Sequence, residues 1–169
     1  VDLDPPTLAR AEAEHRELEA VLADSAAERL WHGTFRVPVE GGRPTGGFGL
    51  RRILNGQPRS PHAGFDWAAP EGTPVLAANA GRVVLVAEHF FAGRSVIVDH
   101  GLGLFTLYFH LSAVSVSVGE AVDAGHVLGA VGATGRVTGP HLHLGVILGG
   151  ARVDPESLLA LTPPADLAP

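Results

Sequence analysis

Three short stretches of this chain alternate, residue by residue, between an apolar side chain and a polar or small one, and histidine falls on the polar side of each. A period of two belongs to a strand, whose successive side chains point to opposite faces, and it fits no helix. In His141-Leu142-His143-Leu144-Gly145-Val146, both imidazoles share one face while Leu142, Leu144 and Val146 take the other. In His62-Ala63-Gly64-Phe65-Asp66-Trp67, His62, Gly64 and Asp66 oppose Ala63, Phe65 and Trp67. In the segment from Leu104 to Leu111, Thr106, Tyr108 and His110 oppose Phe105, Leu107, Phe109 and Leu111. Each strand therefore has a core side and a histidine side.

Other apolar segments, at Pro74 to Ala78, Arg82 to Ala87, Ser95 to Asp99 and Val114 to Val118, are short and valine-rich, with turn residues such as Asn79-Ala80-Gly81 between them. With 22 glycines and 13 prolines among 169 residues, this is the pattern of hairpins and meanders. Only two segments read as helical. Asp4-Pro5-Pro6 is an N-cap with proline in the first turn, leading an Ala/Glu/Leu/Arg-rich stretch from about Thr7 to Leu30, continuous or broken near Asp24-Ser25. Asp154-Pro155-Glu156 caps a shorter one ending near Leu161. Phe35 to Val39 reads as an edge strand, because Pro38 cannot donate to a central ladder. The expected organisation is a helical segment or linker over 1–32, a mainly β domain over 33–161 and a flexible tail over 162–169.

A formal net charge of −6, with no lysine and no basic cluster, excludes phosphate-backbone binding as the main function. The absence of cysteine removes disulfides, thiolate metal sites and a cysteine nucleophile. No apolar run reaches the roughly 18 to 20 residues of a membrane span. The first residue is Val1, so a trimmed or mature form is expected, and an export signal or upstream domain would leave no trace.

A hydrolytic zinc site needs three N or O ligands and an open fourth position. His62, Asp66 and either His141 or His143 supply that set, and Gly64 and Gly145 keep the histidine faces free of bulk. Without cysteine, any zinc here is catalytic rather than structural. The isolated His15, His32, His89, His100 and His126 are read as surface or turn residues.

At this point the residues resemble a known family. His62-x-x-x-Asp66, Tyr108-x-His110-Leu111 and Gly135-Arg136-x-Thr138-Gly139-Pro140-His141-x-His143 are similar to the three motifs of the lysostaphin/LytM-type peptidoglycan endopeptidases, in the same order. The likeness runs from about Phe35 to Pro155. Phe48-Gly49-Leu50-Arg51, Ala69 to Val75 and Asp99-His100-Gly101 also fit it. The resemblance implies one zinc per chain on His62, Asp66 and His143, and His110 and His141 as the catalytic pair. It also implies a fold of two antiparallel sheets with an N-terminal helical segment, and a groove walled by the Arg51 to Pro61 and Gly132 to Gly139 loops. The implied function is hydrolysis of peptide cross-links in bacterial peptidoglycan, as a D,D-endopeptidase on stem peptides using a zinc-activated water. The implied location is the periplasm or cell envelope after export. Tyr108 and Arg51 are candidate substrate contacts, and the N-terminal helix is a candidate contact for an upstream domain or regulatory partner. One departure is Leu144-Gly145-Val146, where many relatives carry an acidic residue. The alternative is a non-catalytic module that binds peptidoglycan or activates an amidase. The glycine-spaced hairpin over Val118 to Leu128 is similar to half of a biotinyl or lipoyl carrier domain, but without lysine that role is closed.

Overall fold

The computed structural model describes residues 3–54 and 56–164. Most of the expected tail therefore lies outside the described residues. The chain opens on helix α1, Pro5–Leu22, with Asp4 as N-cap accepting from the Thr7 amide at 2.9 Å. The helix stops at Ala23, short of Leu30, and the chain beyond it is tied down by one carboxylate. Asp99 accepts from Ser25 Oγ and the Ala26 amide, both at 2.7 Å, and from the Gly101 amide at 2.8 Å.

Ten strands join in one antiparallel sheet. Its main path is β1 (Arg43–Gly46), β4 (Phe65–Ala68), β11 (His141–Leu148), β8 (Leu104–Val114), β7 (Gly93–Asp99), β6 (Gly81–His89) and β9 (Ala121–Val122). β12 (Ala151–Val153) branches from β11, while β10 (Val127–Val131) bridges β8 and β5 (Pro74–Leu76). A separate ribbon pairs β2 (Arg52–Leu54) with β3 (Gln57–Arg59), inside the stretch read as a groove wall. The mainly β class holds, whereas the expected two sheets appear as one branched sheet plus this ribbon. Helix α2, Pro155–Ala160, closes the fold on its Asp154 cap.

Phe35 to Val39 is not a strand. Phe35 and Val39 are buried, but the segment makes only scattered ladder-like bonds, Arg36 N to Ala78 O and Leu76 N to Pro38 O. Proline at position 38 explains why pairing does not propagate.

The sheet buries both faces. Phe65, Trp67, Val96, Val98, Tyr108, Leu111, Leu142 and Leu144 belong to the larger core. Leu85, Ile97, Phe105, Leu107 and Ile147 form a second cluster on the opposite face, covered by Leu18, Val21 and Leu22 of α1. His141, His143 and Gly145 alternate with Leu142, Leu144 and Val146, so they lie on the α1 side of the sheet. α1 covers one part of that face and leaves the β4 end to the histidines.

Candidate metal centre and catalytic pair

β4 and β11 run antiparallel with Asp66 directly opposite His143, and paired residues project to the same face. His62 reaches the same point from the loop before β4. The loop is locked to the preceding turn by Gly49 N to His62 O at 2.8 Å and His62 N to Leu50 O at 3.0 Å. The result is a compact triangle. His62 Nε2 lies 3.1 Å from both His143 Nδ1 and Asp66 Oδ2, and His143 Nδ1 lies 2.8 Å from Asp66 Oδ1.

The protons do not suffice for this triangle. His62 Nδ1 sits 2.8 Å from the Gly47 carbonyl, which can only accept, so Nδ1 carries the hydrogen and the neutral ring presents a bare lone pair at Nε2. That lone pair faces a carboxylate oxygen, and the one remaining hydrogen is on His143 Nδ1. Such converging acceptors are what a cation neutralises. The edges also fit: four ligands at bonds of about 2.05 Å are spaced about 3.3 Å apart in a tetrahedron. Burial alone would raise the Asp66 pKa, but the neighbouring imidazoles, foremost the hydrogen bond from His143, outweigh it and hold the carboxylate well below its usual range. Burial of the His143 ring lowers its pKa, against the pull of Asp66. Asp66 is thus held as an anion and His143 is biased towards the neutral ring, as ligation requires.

The second pair lies alongside. His110 and His141 have ring centroids 4.9 Å apart, and His110 is 6.1 Å from His143. Each is aimed by a main-chain carbonyl of the glycine-rich loop between β10 and β11: His110 Nδ1 donates to Thr134 O and His141 Nδ1 to Gly139 O, both at 2.9 Å. In the neutral rings, Nε2 is therefore the acceptor in both. Burial pushes the His110 pKa down to about 4, so this ring is neutral near pH 7. Its backbone is unusual, with φ of 66° in the left-handed region, which costs a non-glycine residue about 1–3 kcal/mol.

That conformation corrects the face assignment of Tyr108. One residue of β7, Ser95, separates the partners of Tyr108 and Leu111, while Phe109 and His110 both lie between those two on β8. This bulge breaks the alternation. Tyr108 and Leu111 both enter the larger core, and Phe109 faces the metal centre, stacked on His143 with centroids 5.5 Å apart. Tyr108 is fully buried, its hydroxyl accepting from the Ala78 amide at 2.8 Å and lying 2.8 Å from Thr106 Oγ1. It does not line a groove, so the expected substrate contact is replaced by a structural role. His100 stands at the β7–β8 turn, its amide on Leu104 O, but it is no surface residue. It is buried, with Nδ1 on Ala80 O and Nε2 on Thr106 Oγ1, both at 2.7 Å. Arg51 is exposed beside the ribbon.

Gly64 is required by close approach. A Cβ there would overlap the Leu144 carbonyl and sit 2.6 Å from His143 Nε2. Sequence reasoning missed the carbonyls of Gly47, Thr134 and Gly139, because a backbone acceptor leaves no side-chain signature. The only pointer was the glycine content of those loops.

Comparison with known proteins agrees with this geometry. Peptidoglycan DD-endopeptidase ShyA of Vibrio cholerae is 40% identical over 133 residues, 78% of this chain and 31% of that protein. The chain thus spans about a third of that relative's length. A solved zinc-containing peptidase from Vibrio cholerae matches with TM-score 0.69 and 36% identity, over 81% of this chain and 41% of its own. The catalytic domain of lysostaphin from Staphylococcus simulans matches with TM-score 0.64 and 30% identity, over 71% of this chain and 93% of its own. The pattern of Peptidase family M23 fits residues 60–155, more than half of the sequence and spanning all five site residues, and the chain belongs to that family.

Proposed function

We propose that this chain is a zinc endopeptidase that hydrolyses peptide cross-links of bacterial peptidoglycan, cutting the D,D-bond between stem peptides in the periplasm or cell envelope. The observation that carries the reading is the pairing of a three-ligand triangle, His62, Asp66 and His143, with two imidazoles whose Nε2 atoms are left free beside it. A bound zinc ion supplies Lewis-acid polarisation of the scissile carbonyl and acidifies a water molecule at neutral pH.

The chain's own groups divide the remaining work. His110, kept neutral by burial and fixed with Nε2 as acceptor, takes the proton of the attacking water. His141 is less buried than His110 and donates to the developing oxyanion from Nε2 when protonated, its ring held by Gly139. The proton then passes to the leaving amine. Asp66 and Phe109 hold the His143 ring in place, one at its edge and one at its face. Arg51, exposed and next to the Leu50 carbonyl that accepts from the His62 amide, is a candidate substrate contact, and α1 a candidate contact for an upstream domain or regulatory partner.

Paired substitutions test this reading with zinc content and cleavage of purified cross-linked muropeptides, the products identified by mass spectrometry. His143→Ala is expected to lose both metal and cleavage. His110→Ala is expected to keep the metal and lose turnover by at least about 100-fold, the scale of general acid–base catalysis. Full activity in either variant overturns the assignment.

A further inference from the structure

Beyond the two histidine sites, the α1 side of the sheet carries a cation, Arg152, that has no hydrogen bond or ion pair among the described residues. Arg152 lies in β12 opposite Ile147 of β11, and so projects to the same face as Ile147, Gly145 and His143. The absence of a side chain at Gly145 lets it lie across the strand: a Cβ at position 145 would be 3.7 Å from Arg152 Nη1.

The guanidinium opens into a crevice of about 270 Å³ between α1 and the sheet. Leu18 and His15 form the helix wall, and Phe91 and Phe109 the sheet side. Phe109 is the ring stacked on His143, so the crevice abuts the metal centre. Nothing in it neutralises the arginine. The one carboxylate lining it, Glu14, is committed elsewhere, with Oε1 2.6 Å from Arg10 Nε and Oε2 2.8 Å from the Phe90 amide. Glu17, one helical step away, is bound to His89 at 2.9 Å. Arg152 is exposed, and among the described residues no carboxylate pairs with it.

An exposed, unpaired guanidinium on the rim of a crevice beside the candidate metal centre is placed to receive an anion, and its planar fork matches a carboxylate. We propose that Arg152 is a specificity-determining residue that receives a free carboxylate of the substrate's peptide stem, seated in the crevice between α1 and Phe109 beside the scissile bond. This inference rests on the peptidase reading above. In a chain of net charge −6, a cation with no carboxylate partner at this point favours an anionic group of the substrate locally.

The test uses synthetic cross-linked stem dimers with free carboxylates and matched dimers in which the carboxylates are amidated. On the free form, Arg152→Gln is expected to raise KM about 10- to 100-fold, the scale of a lost charge-assisted hydrogen bond, with kcat and zinc content held within about twofold. Amidation is expected to weaken the wild type by a similar factor and to leave Arg152→Gln unaffected, and Arg152→Lys is expected to recover part of the loss. Equal loss of Arg152→Gln on both dimers makes the residue structural and overturns the inference. So does a wild type that cleaves free and amidated dimers alike. A wild type that loads zinc and cleaves neither dimer overturns the peptidase reading and this inference together.

Discussion

Tyr108→Phe separates a structural tyrosine from a substrate-binding one, and the direction of the hydrogen bonds sets the size of the effect. His100 is buried, and burial lowers its pKa to about 4, so it is neutral at pH 7. Nδ1 faces the Ala80 carbonyl and must carry the hydrogen, which makes Nε2 the acceptor for the Thr106 hydroxyl. Thr106 has then spent its proton, so the 2.8 Å bond between hydroxyls runs from Tyr108 to Thr106, and Tyr108 accepts from the Ala78 amide. Burial pushes the Tyr108 phenol up to about 12, so its proton stays in place. Removing the oxygen strands the buried Ala78 N–H and takes a donor from Thr106, while the ring stays and no large cavity opens. An orphaned buried donor costs about 1–3 kcal/mol, so the variant should lose roughly 2–3 kcal/mol. For a chain of this length that is a fall of roughly 5–10 °C in Tm. Thermal unfolding followed by circular dichroism measures this, alongside cleavage per zinc-loaded molecule at 25 °C. The expected result is a large Tm shift with kcat/KM within about twofold of wild type. A variant with unchanged Tm and a tenfold or greater loss of kcat/KM refutes the hydrogen-bond chain and restores Tyr108 as a substrate contact.

Gly64→Ala should abolish zinc binding or folding, because the new methyl group meets the Leu144 carbonyl, which is backbone, as well as the His143 ring; a variant with wild-type zinc content argues against the close strand approach. The His100 network should also make the fold acid-labile. The folded pKa, about 4, is below the unfolded value near 6.5, so the stabilisation is fully present above about pH 6.5 and is lost as pH falls toward 4, by roughly 3 kcal/mol. Urea midpoints across that window should fall for wild type and fall less steeply for His100→Gln; identical slopes contradict the assignment.

The site was legible wherever alternation and sheet register agree. In β11 the period of two holds from His141 to Leu148, so the two histidines and the core leucines were separated correctly from spacing alone. Asp66 followed in the same way, because β4 keeps its period opposite β11. Helix starts were legible too, since Asp4 and Asp154 act through local geometry. Alternation failed at β8. Spacing put His110 on the Tyr108 side, and an unbroken strand would have buried its imidazole in the larger core, away from His141. A bulge centred on Phe109 and His110 inverts the order, with His110 held at φ of 66° by its amide on Ala92 O at 2.8 Å and by Nδ1 on Thr134 O. Both restraints come from loops distant in sequence, so nothing within Tyr108-Phe109-His110-Leu111 announces the break. Phe109 keeps the face its spacing gives, directly opposite and stacked on His143, and the break brings the His110 ring to a centroid distance of 4.9 Å from His141. What spacing missed is therefore what brings His110 and His141 together, and the fold holds about 1–3 kcal/mol of backbone strain at the residue whose position depends on it.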